Sequence, residues 1–122
     1  MFLINPTQVG PNNCTGFSRF PISNHVVSAA ADDINLVMTN QTGGAASAVS
    51  IVLSGTVGNS SVAHTIGGWT FNANDQNNMF FDLTGGTVFN TGQYRLNFTM
   101  TYTDRDNIAR TDTATCSGTA SS

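Results

Sequence analysis

Tyr94-Arg95-Leu96-Asn97-Phe98-Thr99-Met100-Thr101-Tyr102 alternates large apolar with polar residues over nine positions. A period of two puts Tyr94, Leu96, Phe98, Met100 and Tyr102 on one face of an extended segment and Arg95, Asn97, Thr99 and Thr101 on the other. The stretch therefore reads as a half-buried β-strand. Its outward Thr99 and Thr101 suit Thr-to-Thr pairs with a neighbouring strand, and Asn97 points to solvent. Thr103-Asp104-Arg105-Asp106-Asn107 then supplies turn-forming residues, and Ile108 to Thr115 resumes with Thr at 111, 113 and 115. A hairpin is expected here.

Similar segments lie upstream. Ile34–Thr39 and Ala48–Leu53 flank Asn40–Ser47, where Gly43-Gly44 frees the backbone, and they read as a second strand pair. Val26–Ala30, Val62–Ile66, Trp69–Phe71 and Met79–Leu83 are shorter candidates bounded by Gly, Asn or Asp. Seven to nine short strands at this spacing predict an all-β protein, an immunoglobulin-like antiparallel β-sandwich. The sandwich is assigned to residues 14–122. Residues 1–13 form an N-terminal apolar segment whose Met1-Phe2-Leu3-Ile4, stopped by Asn5-Pro6, is either a strand or the stub of a helix.

Composition agrees with this reading. The 122 residues make one domain, and Thr (17), Asn (14), Gly (12) and Ser (11) dominate while Glu and Lys are absent, which excludes a helix bundle. Seven Asp and four Arg give a net charge of −3 with no basic block, so nucleic acid is not an expected partner. No apolar run is long enough for a spanning helix.

Cys14 and Cys116 are the only cysteines, one near each end. An oxidised pair is expected, closing 101 intervening residues; in the chain-entropy account such a loop contributes on the order of 4–5 kcal/mol. Two buried free thiols are the other reading. No CxxC or Cys/His spacing suggests a zinc or redox site. Sequons begin at Asn13, Asn40, Asn59 and Asn97. Their number is close to what this Asn, Ser and Thr content produces by chance, so they are N-glycosylation candidates by pattern only.

Catalytic signals are weak. His25 and His64 are the only bases of suitable pKa and neither sits in a nucleophile motif, the glycines lack a following Lys, and no Glu is present for a carboxylate pair. An enzyme is not expected, nor is a cofactor. Asp104, Asp106 and Asn107 place oxygen side chains where a Ca²⁺ ion would find ligands. The same residues serve a turn's own hydrogen bonds, and Arg105 and Arg110 are at hand to pair with the carboxylates, so the turn reading is preferred. Asn72–Asn78 beside Trp69 and Phe71 has the carboxamides and aromatics that sugar recognition uses, although loop polarity and core packing account for both.

Phe17-Ser18-Arg19-Phe20-Pro21, the strand ending Leu36-Val37-Met38-Thr39-Asn40 before Gly-Gly, Thr91-Gly92-Gln93-Tyr94 launching a long strand to Asp104, and a polar strand closing on Ser117-Gly118-Thr119 follow one another in a familiar order. This order resembles the soluble β-domain of archaeal type IV pilins and archaellins over residues 14–120. The resemblance implies a structural subunit of an extracellular filament, surface-exposed and often glycosylated, that self-associates. It also implies that Phe2, Leu3 and Ile4 are the last turn of an assembly helix whose upstream part would be the route to a membrane. The family's signal sequence and nearly all of that helix have no counterpart here. A second route to a filament needs no helix: Met1–Ile4 inserts as a strand into the open sheet of the next subunit. The alternatives are a carbohydrate- or surface-binding adhesin module, with glycans or cell surfaces as partners, and a viral or phage decoration sandwich.

Overall fold

The computed structural model describes residues 14–28, 33–83 and 92–120. Eight strands run through them: β1 (Cys14–Gly16), β2 (Ile22–Ser28), β3 (Asp33–Thr39), β4 (Ala46–Val57), β5 (Ser60–Phe71), β6 (Gln76–Asp82), β7 (Gly92–Thr103) and β8 (Ala109–Ala120). They form a five-stranded sheet in the order β1-β8-β7-β4-β5 and a three-stranded sheet in the order β2-β3-β6, and every neighbouring pair is antiparallel. The order β8-β7-β4-β5 facing β2-β3-β6 is that of an immunoglobulin-like sandwich.

The alternation in β7 does what period-two sterics require. Tyr94, Leu96, Phe98, Met100 and Tyr102 are all buried, and they meet Ile34, Leu36 and Met38 of β3 and Met79 and Phe81 of β6 in one hydrophobic core. Phe81 of the smaller sheet meets Phe98 of the larger at 5.6 Å, and Phe20, in the β1–β2 connection, packs on Phe71 at 5.5 Å and Tyr102 at 5.0 Å. Each such pair contributes about 0.5–1.5 kcal/mol beyond its area. On the outer face the expected Thr ladder forms, with Thr99 opposite Thr113 and Thr101 opposite Thr111.

Three expectations about the strands need correction. The segments 34–39 and 48–53 are not paired with each other, since β3 lies in the smaller sheet and β4 in the larger. Both carry a full apolar row, Ile34/Leu36/Met38 and Val49/Ile51/Leu53, and a crossover through residues 40–45 brings the two rows into one core. A tight hairpin would have laid them side by side. The segments 62–66 and 69–71 are one strand, β5, with an irregularity at Gly67-Gly68, where Gly68 adopts a φ of +89°. Gln76, Asn77 and Asn78, read as the end of a loop, belong to β6.

Candidate functional site

Three regions hold the residues to which chemistry was assigned. The first is the flank where β1 and β8 meet β2. Cys14 lies opposite Cys116 in the β1–β8 ladder, and the two form a disulfide. His25, on the inward face of β2 and 1% exposed, places Nδ1 3.4 Å from Cys14 Sγ and Nε2 2.6 Å from the Tyr94 hydroxyl. A disulfide sulfur carries no hydrogen, so Nδ1–H is the donor towards Sγ and Nε2 accepts from the Tyr94 O–H. Burial pushes the Tyr94 phenol far above its ordinary pKa. Gly118 makes room for that ring: a Cβ there would stand 2.6 Å from the Tyr94 hydroxyl oxygen.

The ligand-type atoms of Cys14, His25 and Cys116 lie within 4.8 Å of one another. Spacing in the sequence gave no hint of this trio, because β1, β2 and β8 bring it together only through the fold. With the sulfurs bonded to each other they are not the thiolates a metal would need, and the trio packs rather than coordinates.

The second region is the end of the sandwich where the chain crosses or turns at 17–21, 40–45, 72–75 and 104–108. Asn40, fully buried, is its hub. Its Nδ2 donates to the carbonyls of Gly44 (2.9 Å) and Phe71 (2.8 Å), and its Oδ1 accepts from Thr42 N (2.9 Å) and Thr42 Oγ1 (2.7 Å). Its backbone N–H donates to Asp75 O, and its carbonyl accepts from Asn74 N. Asn40 is therefore removed from the glycosylation candidates: the nitrogen a glycan would occupy is buried with both hydrogens committed. Asn59, in the β4–β5 turn, and Asn97, on the outer face of β7, are exposed as an acceptor must be; Asn97 Oδ1 accepts from Thr115 Oγ1 at 3.1 Å. Asn13 lies outside the described residues, as do Phe2, Leu3 and Ile4.

At the β7–β8 turn, Asp104 Oδ1 accepts from Asp106 N (2.9 Å) and Ile108 N (3.0 Å), while Oδ2 accepts from Arg110 Nε (2.8 Å). The Arg110 guanidinium and these N–H donors hold the Asp104 carboxyl below its ordinary pKa. Asp104 thus works as the turn's cap and ion-pair partner, and Asn107 takes a φ of +61° within the turn. The Ca²⁺ reading of Asp104, Asp106 and Asn107 finds its central carboxylate engaged by the protein's own donors. Arg105 reaches across to the crossover, donating to Gly43 O at 2.8 Å. A Cβ on Gly44 would lie 2.5 Å from Arg105 Cδ.

The third region is the flank opposite the disulfide. β5 and β6 are edge strands of different sheets. Between them runs a groove of about 340 Å³ lined by Ile66, Trp69, Asn77, Asn78, Met79 and Phe80. Trp69 is half-buried, packed on the core along one side and open to the groove on the other; Phe80 is 48% exposed.

No protein-family model matches this chain, and no curated protein is significantly similar to it. Function is accordingly read from these three regions.

Proposed function

We propose that the protein is a structural subunit of an extracellular assembly, a pilin-like β-sandwich that joins to further copies of itself through its open flank. The observation that carries this reading is the groove between β5 and β6. Two sheet edges lie beside it, each paired on one side only among the described residues. Natural sandwiches cover or charge such edges, because an exposed edge is a template for another strand. Here the wall combines the apolar Ile66, Trp69, Met79 and Phe80 with the carboxamides of Asn77 and Asn78.

The occupant we assign is Met1-Phe2-Leu3-Ile4 of a second copy. An apolar tetrapeptide in extended form supplies backbone hydrogen bonds to an edge and side chains to the groove, as in β-strand addition. The disulfide and the lysine-free, Thr/Asn/Ser-rich composition suit an oxidising exterior.

Negative-stain electron microscopy with intact mass, on protein purified from its native cells, tests this. Linear assemblies are expected, with any excess mass confined to Asn13, Asn59 and Asn97. Monodisperse particles at high concentration, or closed symmetric shells, contradict it.

A further inference from the structure

Only four cationic side chains other than histidine exist in this protein, all arginine. Three of them, Arg19, Arg105 and Arg110, line one cleft of about 450 Å³ at the loop end, together with Gln41, Thr42, Asp104 and Asp106. The fourth, Arg95, stands alone on the outer face of the larger sheet. In a chain of net charge −3, this end gathers positive charge that the fold does not use up. Arg110 is neutralised by Asp104 at 2.8 Å. Arg105 commits one N–H to Gly43 O and has no carboxylate within ion-pair distance among the described residues. The Arg19 side chain makes no hydrogen bond or ion pair among them. Its backbone is nonetheless held, because its carbonyl accepts from Gln41 N at 2.9 Å.

We propose that this cleft binds a saccharide carrying a carboxylate, of the uronic-acid class, with Arg19 and Arg105 taking the carboxylate and Gln41 and Asp106 taking ring hydroxyls. Guanidinium donors match a planar carboxylate in bidentate fashion. The acidic residues on the same wall decide between anions. Asp106 disfavours a dianion such as inorganic phosphate or sulfate more strongly than a monoanion, and its oxygens accept from the hydroxyl donors that a sugar ring carries. The frame of the site is set before any ligand arrives, since Asn40 fastens the crossover, Arg105 spans from hairpin to crossover, and Asp104 fixes the hairpin, which leaves the Arg19 side chain to close on the ligand. A preformed polar cleft loses little ordering entropy on binding. The inference is independent of the assembly reading, because the cleft and the β5–β6 groove share no lining residue.

Side-chain NMR of the full chain tests it, because its four arginines give a small and assignable set of Nε–Hε signals. Titration with a galacturonic-acid oligomer is expected to shift Arg19 and Arg105 while leaving Arg95 in place. The fully methyl-esterified oligomer is expected to shift none of them. Arg19→Gln and Arg105→Gln should each weaken binding roughly tenfold, the scale of one charge-assisted hydrogen bond, with the backbone spectrum unchanged for Arg19→Gln and changed only around Gly43-Gly44 and the β7–β8 turn for Arg105→Gln. Equal movement of Arg95, equal binding of the neutral ester, or a response to inorganic sulfate matching that to the uronate would each overturn the proposal. So would no shift at all.

Discussion

The two flanks of the sandwich are built in opposite ways. Where β1 and β8 meet β2, a disulfide pins β1 to β8 within the larger sheet, and the buried His25 of the smaller sheet closes the gap by reaching that disulfide and the Tyr94 hydroxyl. Where β5 and β6 face each other the gap stays open, walled by Ile66, Trp69, Asn77, Asn78, Met79 and Phe80. One flank holds the monomer together. The other is where, on our reading, the monomer is unfinished. The contrast predicts that substitutions on the closed flank act on stability and those on the open flank act on association.

The largest effect should come from removing the bridge. Cys14→Ser with Cys116→Ser is expected to lower unfolding free energy by about 2–5 kcal/mol, read from urea unfolding with a larger m-value, because the unfolded chain without the cross-link exposes more surface. A loss under about 1 kcal/mol would show that β1 and the His25–Tyr94 contact close the flank without it. Next comes Asn40→Asp at the loop end. An isosteric carboxylate has no N–H for the carbonyls of Gly44 and Phe71, and a buried charge beside two carbonyls should cost about 3 kcal/mol near neutral pH.

Tyr94→Phe removes one buried hydroxyl and should cost about 1–2 kcal/mol. It also carries a pH signature. The folded phenol titrates far above the unfolded value of about 10, so the folded state retains a proton that the unfolded chain gives up. Stability is unaffected below that pH and falls as pH rises through and beyond it. Tyr94→Phe should therefore remove part of the alkaline loss, which pH-dependent unfolding would detect; an unaltered alkaline limb would contradict the assignment. Phe80→Ser on the open flank should stay within about 0.5 kcal/mol in the monomer while abolishing assembly. The smallest effect concerns Asp104, whose carboxyl should titrate below its ordinary value because Arg110 and two backbone N–H groups stabilise the anion. Its contribution is present above the ordinary carboxylate range and is lost only as pH falls through the lowered midpoint; a carboxyl ¹³C titration with an ordinary midpoint would remove the turn's ion pair from the account.

The sequence announced β7, β8 and their hairpin plainly, because an alternation of nine residues leaves one face for the core and one for Thr pairs. It announced the disulfide less directly, through two cysteines near opposite ends. It misled at 34–53, where a Gly-Gly turn between two apolar segments looks the same whether the chain reverses within a sheet or crosses between sheets. Asn40 shows the same limit: a sequon is a local pattern, and nothing local records that Gly44 and Phe71 use both of its amide hydrogens. The His25–Tyr94 pair and the arginine cleft were not legible either. Their members lie far apart in the chain, Arg19 from Arg105 and His25 from Tyr94, and only the strand order brings them together.

The most direct test of the central claim is hydrogen–deuterium exchange on the assembled protein compared with the dissociated subunit. The account predicts new protection in the edge amides of β5 around Ile66–Trp69 and of β6 around Asn77–Phe80, together with residues 1–4, and no change across the outer Thr face of β7 and β8. Protection confined to that Thr face, with β5 and β6 exchanging as before, would contradict it.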